Sequence, residues 1–425
     1  MSAETTTCCL VGCGPAGAVL GLLLARAGVD VVVLEKHGDF FRDFRGDTIH
    51  PSTLQVIDEL GLGERFAAVP QQHVSKLAAL TDQGMVTMAD FAGLKVAHPY
   101  ISFVPQWDFL DFVTDAAKEL PTFDLRMGAE VFDVTERDGR IAGVRYRAGD
   151  GEHEIAATLT VATDGRRSIV RQRAGLEPKD YGAPMDVLWF RMSREDADHG
   201  ESFGRFSPGH IVAMIDRGEY WQVGYVIPKG ADVELRRRGI ETLRASFAKL
   251  MPAFAERTER APASWDEVKT LEVQVNRLKR WHRPGLLCIG DAAHAMSPVA
   301  GVGINLAVQD AVAAANLLAE PLARGTLTDR DLARVRRRRW LPTVVTQTFQ
   351  RIVQRRVLEP ALRGGGRGGP PRFVRALAGL SVVRRIPARL IGLGVLPEHV
   401  RSRVASPRTL NSRGQPLNVE GPGSP

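Results

Sequence analysis

Apolar residues in the first 35 positions fall into a strand–helix–strand order. Residues 8–11 form a short run with no polar alternation, as expected of a parallel strand covered on both faces. A glycine-broken turn follows, then an apolar helix to about Ala27. Gly28 breaks it, and a second strand over 31–34 ends at Glu35. Residues 73–98 alternate loosely and read as the first strands of a second unit. A helix over 107–120 and a strand meander turned at Asp138-Gly139 and Asp150-Gly151 return to the first. Strands over 187–191, 210–215 and 220–227 precede a helix near 233–250. An apolar strand from Gly285 to Gly290 leads through a flexible loop into a long helix from Ile304 to about Leu318. The pattern predicts an α/β chain whose units interleave. One is a Rossmann-like domain at 5–72, 99–183 and 272–320. A second, mixed-sheet domain spans 73–98 and 184–271. A helical region follows at 321–405, with a disordered tail at 406–425.

The first turn has the spacing G-x-G-x-x-G at Gly12, Gly14 and Gly17. The first glycine permits the tight turn, the second lets a pyrophosphate approach the backbone, and the third lets the helix pack on the sheet. The helix N-terminus offers unpaired N–H groups to phosphate oxygens. Glu35 stands where an acid accepts hydrogen bonds from ribose hydroxyls. About 250 residues on, Gly290-Asp291 ends a strand, and Pro298, Gly301 and Gly303 precede a helix. An acid beside a glycine-rich helix start suits a polyhydroxylated chain and a second phosphate, which the ribityl–pyrophosphate stretch of FAD supplies. Between the two lies a third strand–turn–helix with the corner Asp164-Gly165.

With these three motifs in order, the chain resembles the para-hydroxybenzoate hydroxylase type of FAD-dependent aromatic monooxygenase, also called group A, from about residue 5 to 320. The resemblance implies FAD as cofactor and NAD(P)H as co-substrate. Gly12, Gly14, Pro15, Ala16 and Gly17 would line the pyrophosphate, and Glu35 with Lys36 the adenosine ribose. Arg45 would reach the flavin side, Gln106 the ribityl or pyrophosphate portion, and Val131 the adenine through its backbone. Asp164 and Gly165 would serve FAD and nicotinamide nucleotide together, and Asp291 the ribityl chain. Gly301, Gly303, Ile304 and Asn305 would border the flavin ring, with Pro298 the one weak candidate for the oxygen-reacting face. Arg45, Gln106 and Asp291 also have plainer readings, as a surface arginine and two helix caps. His294 reads as a packed or solvated histidine sooner than a catalytic base.

The implied reaction hydroxylates an aromatic or phenolic small molecule with dioxygen through a flavin hydroperoxide. Trp189, Arg191, Phe203, Phe206, Met214, Tyr220, Trp221 and Tyr225 are candidates for the substrate face, about half of them facing inward by strand alternation. Arg191 and His210 could hold a carboxylate or phenolate. The tyrosine pair of the para-hydroxybenzoate enzyme has no counterpart, so a larger aromatic, polyketide or quinone-precursor ring is expected. Three readings compete. A halogenase carries W-x-W-x-I-P, but here Val223-Gly-Tyr-Val-Ile-Pro228 lacks both tryptophans. A prenyl-chain reductase shares the fold. A non-catalytic binding protein of the GDP-dissociation-inhibitor type would lack the motifs kept here. No second glycine motif follows a strand, so nicotinamide nucleotide is expected to bind transiently.

Composition changes this picture little. The 425 residues are 44% hydrophobic and 25% charged, as in ordinary globular chains. No secretory signal is read at the polar N-terminus, and the longest apolar stretch, residues 16–25, is short of a membrane span. Cys8, Cys9, Cys13 and Cys288 are spaced for neither zinc nor a redox disulfide, which predicts a reduced, cytoplasmic enzyme without metal. Of the net charge of +7, the region from Pro321 onward contributes +16, with 21 arginines and no lysine, and the remainder −9. Arg334 and Arg336 to Arg339 on a helix could meet acidic lipid or a nucleotide phosphate, or simply form a solvated face. Nothing resembles a nucleic-acid module.

Overall fold

The computed structural model describes residues 4–41, 48–82, 84–196, 198, 202–364 and 381–402. Arg45, the glycine run beyond Gly364, Arg372 and the tail after Ser402 lie outside them.

The first sheet has the order His282–Arg283, Leu286–Cys288, Gly151–Ala162, Glu4–Val11, Val31–Glu35, Phe123–Met127. Four of the five pairings along this path are parallel, and the strands of the path run into the glycine turn, Asp164 and Gly290 at their carboxyl ends. Two further strands, Arg140–Ala148 and Glu130–Arg137, add on antiparallel beside Gly151–Ala162. Helix α1 (Pro15–Arg26) buries ten of its twelve residues, so it has no polar face and must lie between layers. Its Gly21 allows this: a Cβ there would come within 2.8 Å of the Phe123 ring. Helices α2 (Pro51–Glu59), α3 (Gln106–Lys118) and α4 (Ile240–Leu250) are amphipathic and flank the sheets. The predicted helix near 233–250 is two helices, because Gly239, at φ +88°, breaks it.

The second sheet has seven strands: Lys269–Leu271, Met185–Ser193, Tyr220–Pro228, His210–Asp216, Phe203–Ser207, Lys76–Thr81, Gly84–Asp90. Segments from both sides of the Rossmann insertion thus form one sheet, which fits the interleaved units expected from sequence. The strand Phe203–Ser207 escaped the alternation pattern.

Helix α5 (Gly303–Ala323) runs five residues beyond the expected end, and α6 (Asp329–Val353) packs along it. The segment Val299–Ala323 is long and apolar enough to cross a membrane, but its apolar 18-residue window is 78% buried among the other elements, which makes it a core helix. Helix α7 (Ser381–Gly392) lies against the strand Gly84–Asp90.

Candidate active site

Three segments far apart in sequence converge at the carboxyl end of the first sheet. Gly12 adopts φ +96°, and a Cβ on it would lie 2.8 Å from Asp164 Cα. A Cβ on Gly17 would lie 2.0 Å from the Gly12 carbonyl oxygen, so helix and turn close only around glycine. Gly290, at φ +58°, faces Ala16, where an added Cβ would meet the Ala16 methyl at 3.2 Å. Gly14 differs from all of these: nothing lies within 4 Å of its Cβ position. Gly14 is also the N-cap of α1, with no side chain capping it and Pro15 following. The result is an open cradle against free helix N–H groups, a fit for a pyrophosphate.

Thr163, not singled out from sequence, clamps the turn by donating its hydroxyl to the carbonyls of Val11 (2.8 Å) and Gly12 (2.6 Å). Glu35 accepts from the backbone N–H of Cys13 at 2.9 Å and of His37 at 3.2 Å, which holds its carboxylate beside the glycine turn. Lys36 is exposed next to it. Gln106 is the first residue of α3, capped by Pro105, and its half-buried side chain caps nothing. Val131 is buried and registers with Tyr146 on the neighbouring strand.

Asp164 Oδ2 accepts from Val170 N at 3.3 Å, and its buried Oδ1 meets no donor among the described residues. Burial raises its pKa, against the Ser168 hydroxyl and nearby backbone N–H groups. A buried carboxyl oxygen without a donor suits a ligand hydroxyl. Gly165, at φ +83°, turns the chain toward Arg166, whose Nη2 lies 3.2 Å from Asp291 Oδ2. Buried Arg171 donates to the carbonyls of Ala292 (2.9 Å) and Arg166 (2.9 Å), tying the two corners together. Asp291 is part of a short turn, Gly290–Ala292, and keeps a partly exposed carboxylate.

The loop expected to border the flavin ring is held from two directions. Ala300 and Gly301 both adopt positive φ, +64° and +63°, and Thr48 Oγ1 donates to the Gly301 carbonyl at 2.8 Å. Asn305 Oδ1 accepts from Ser52 and Thr53 of α2, each at 2.7 Å, while Ile304 is buried beside it. Helix α5 opens at Gly303 with no side-chain cap and no acid in its first turn, leaving its N–H groups free for an anionic edge. From the other side, glutamines of α6 and of the π-helical turn Gln354–Leu358 grip the loop. Gln350 Nε2 donates to the carbonyls of Ser297 (2.8 Å) and Val299 (3.0 Å), Gln354 Nε2 to Ser297 Oγ (2.8 Å), and Gln347 Nε2 to Ala295 (3.0 Å). Pro298 lies between these grips. The 347, 350, 354 spacing follows one helix face, a signal available in the sequence but without meaning until its target is known.

His294 is packed, as the sequence reading preferred: it is buried and its Nε2 lies 2.6 Å from Asp310 Oδ2. Asp310 also accepts from Gly290 N (3.1 Å) and from Arg339 Nε (2.9 Å). Arg339 is 1% exposed and reaches Glu398 at 3.5 Å, which corrects the solvated reading of that arginine run. Arg334 and Arg338 keep half-exposed side chains paired to Asp331 and Glu398. Burial opposes ionisation of Asp310, but His294 and Arg339 outweigh it and hold the carboxyl below its usual range.

The second sheet divides the eight candidates for the substrate face between its two faces, four to each, as strand alternation expects. Met214, Trp221 and Tyr225 are buried, with Phe203 against them, under α4, on the face opposite the one that packs on Met296, Val299 and Val302. His210 belongs with them, its Nδ1 2.8 Å from the Tyr225 hydroxyl. Arg191 is exposed and stacks on Tyr220 at 4.8 Å, at the sheet's end. Trp189 and Phe206 remain on the inner face. There Trp189, Gly224, Ala213, Gly204 and Ala79 register side by side across five strands. The Trp189 ring lies over Gly224, where a Cβ would come within 2.9 Å of it. On one side of this row Ile211, Phe206 and Val226 pack on Val299 and Val353; on the other, Ile215 and Leu77 pack with Met296 and Val302. The small residues between leave a shallow floor with an aromatic end wall.

Fold and site together define a flavoprotein with a Rossmann-type FAD cradle and a separate substrate sheet. The chain belongs to the family described as FAD binding domain, which matches residues 4–347. It is 31% identical over 387 residues to 6-methylpretetramide 4-monooxygenase of Streptomyces rimosus, covering 90% of this chain and 92% of that one. Among solved structures it is similar to the anhydrotetracycline hydroxylase OxyS of Streptomyces rimosus. There the TM-score is 0.73 at 23% identity, covering 96% of this chain and 79% of that one. It is also similar to a flavin-dependent brominase, with TM-score 0.74 at 19% identity, covering 92% and 94%. The protein is thus an FAD-dependent oxidoreductase of the group A aromatic monooxygenase family, for which NAD(P)H is the typical co-substrate.

Proposed function

We propose that the enzyme hydroxylates a large, flat, multi-ring phenol of the kind that the 6-methylpretetramide monooxygenase is named for. The observation that carries this is the row Trp189–Gly224–Ala213–Gly204, a floor without projecting side chains next to a wall suited to stacking. Bound FAD would accept a hydride from NAD(P)H and activate dioxygen.

The residues of the chain would then bind, orient and exclude water. Gly12, Gly14, Pro15, Ala16, Gly17 and the α1 N-terminus would hold the pyrophosphate. Glu35 and Lys36 would meet the adenosine ribose, and Val131 the adenine. Asp164, through its unpaired Oδ1, and Asp291 would accept hydrogen bonds from the hydroxyls of the ribityl chain, with Gln106 and Gly165 alongside. The α5 N–H groups at Gly303, Ile304 and Asn305 would face the electron-rich edge of the ring system. Pro298 and Gly301, fixed by Gln350, Gln354 and Thr48, would form a rigid wall between it and the substrate. The apolar clusters on either side of the floor would keep water from the reacting carbon. The segments 5–72, 99–183 and 272–320 would be the FAD unit, 73–98 and 184–271 the substrate unit. With all four cysteines buried and free, the enzyme suits the cytoplasm.

The test is spectral and then catalytic. Purified protein should be yellow, bleach with NADPH or NADH under anaerobic conditions, and recover in air. With 6-methylpretetramide, NAD(P)H oxidation should yield a product heavier by one oxygen with little peroxide. Oxidation that yields only peroxide across tetracyclic and single-ring phenols would overturn the substrate assignment. A brominated product formed with bromide would overturn the hydroxylase reading.

A further inference from the structure

Away from the proposed FAD cradle, cations and aromatic rings interleave across α6 and the paired strands Pro178–Asp180 and Asn276–Leu278. Arg336 lies 4.3 Å from the Trp340 ring centroid, and Arg277 lies 4.6 Å from the same ring. Arg277 also lies 5.1 Å from Tyr181, which Arg351 approaches at 4.8 Å and Lys179 at 5.5 Å. Arg336, Trp340 and Arg351 share one face of α6, since they stand four and fifteen residues from the first.

Two features separate this ladder from an ordinary solvated basic surface. First, none of these four cations pairs with a carboxylate within 4 Å among the described residues, whereas other arginines of α6 do. Second, the Arg277 guanidinium is fixed, and those of Arg336 and Arg351 lie against rings. Arg277 donates to Gln347 Oε1 and the Tyr181 hydroxyl, both at 2.8 Å, and the three arginines are half-buried, each with a buried Nε that meets no acceptor. Burial lowers the Arg277 pKa, and Arg351 and Arg336 lower it further although Tyr181 opposes them. Like charges held together in a partly dry setting favour an anion that is not part of the chain.

We infer that this ladder is a binding site for a phosphate-bearing ligand with at least two adjacent negative charges, such as a nucleotide polyphosphate or a phospholipid headgroup. Stacked guanidinium groups present their N–H edges in a fixed plane, which matches phosphate oxygens two at a time. A compact polyanion meets several rungs at once. The ladder uses none of the residues proposed to hold FAD, and its occupancy does not depend on which ring the enzyme hydroxylates.

The experiment is calorimetric titration of the FAD-loaded enzyme at low ionic strength with inorganic pyrophosphate, then with NADP+, which carries the same phosphates but cannot reduce the flavin, and with vesicles of phosphatidylcholine containing phosphatidic acid. Arg336→Gln/Arg351→Gln is the comparison. Saturable pyrophosphate binding that weakens at least about 10-fold in the double variant, and fades with added salt, supports the site. NADP+ sharing that loss assigns a nucleotide source, and vesicle binding that shares it assigns a lipid source. Binding of pyrophosphate and vesicles that is absent, or equal in the variant and the parent, overturns it. So does a variant that melts lower while its pyrophosphate affinity is unchanged, since the ladder is then structural only.

Discussion

The Asp310 carboxylate, fully buried on α5, accepts a hydrogen bond from Arg339 Nε of α6 at 2.9 Å. Its second oxygen serves His294 and the backbone of Gly290, so the corner carrying Asp291 is anchored to the C-terminal helices through one side chain. Removing one member of a buried ionic cluster strands the others. Asp310→Asn is therefore expected to cost about 3–5 kcal/mol. Thermal melting should show it, together with loss of bound flavin. Because the folded carboxyl titrates below its unfolded value, its contribution is present above about pH 4 and is lost as pH falls further. A variant that melts like the parent would show that the cluster carries no net stability.

His50 gives a different pH signature. It is fully buried at the start of α2, with Nδ1 2.8 Å from the Ile391 carbonyl, so that nitrogen carries the proton. Burial pushes its pKa from 6.5 to about 4, against the pull of the Ile391 and Gly301 carbonyls. Below pH 6.5 the unfolded chain takes up a proton that the folded one refuses. Stability from this group is thus complete above pH 6.5 and drains away toward pH 4, by roughly 3 kcal/mol. Denaturant titrations of His50→Gln should lack that slope between the two values. An identical slope in parent and variant would assign it elsewhere.

The readable part of the site was the part built from local sequence. Gly12, Gly14 and Gly17 act within one turn, and Gly290-Asp291 ends one strand, so spacing alone located them. The partners that hold them act across the chain. Ser52 and Thr53 meet Asn305 about 250 residues away, and His50 meets Ile391 across 341. Arg339 looked like one arginine among five, because nothing local shows which of them turns toward Asp310. Alternation assigned strands to 210–215 and 220–227, each one residue short of its observed end, yet it could not say which face was the inner one. That depended on α4 covering Trp221 and Tyr225.

The two inner glycines of the first turn should fail in different ways when changed to alanine. At Gly17 the new methyl would sit 2.0 Å from a backbone oxygen, so the turn must open, and stability should fall by about 1–3 kcal/mol or more. At Gly14 the methyl meets nothing within 4 Å and should leave melting of the FAD-free protein unchanged. It would, however, occupy the space proposed for the pyrophosphate. The ratio of flavin to protein absorbance should therefore drop in both variants, with the FAD-free melting temperature reduced only in Gly17→Ala. Full flavin content in Gly14→Ala would move the pyrophosphate elsewhere.

All four thiols should be inert in the native protein. Cys8, Cys9, Cys13 and Cys288 are buried and unpaired, and burial raises every one of their pKa values, that of Cys9 to about 12. A thiol-specific disulfide reagent at pH 8 should label none until denaturant is added, and then four. Rapid labelling of the folded enzyme would mean that the strand Glu4–Val11 opens readily.

The floor of the second sheet offers the sharpest check on substrate size. Gly224→Ala places a methyl 2.9 Å from two carbons of the Trp189 ring, which must tilt away from the strand. Neither residue is among those proposed to hold FAD, so FAD content and the rate of flavin reduction without substrate should match the parent. Substrate stacked against the displaced ring should bind more weakly, by about 10-fold in KM for an overpacking cost of 1–2 kcal/mol. Peroxide should rise as a fraction of NAD(P)H consumed, because a misplaced ring no longer intercepts activated oxygen. Trp189→Phe should fall between the two enzymes, since a smaller ring keeps the stacking but reaches less far over Gly224. Unchanged KM and coupling in both variants would place the substrate on another part of the sheet.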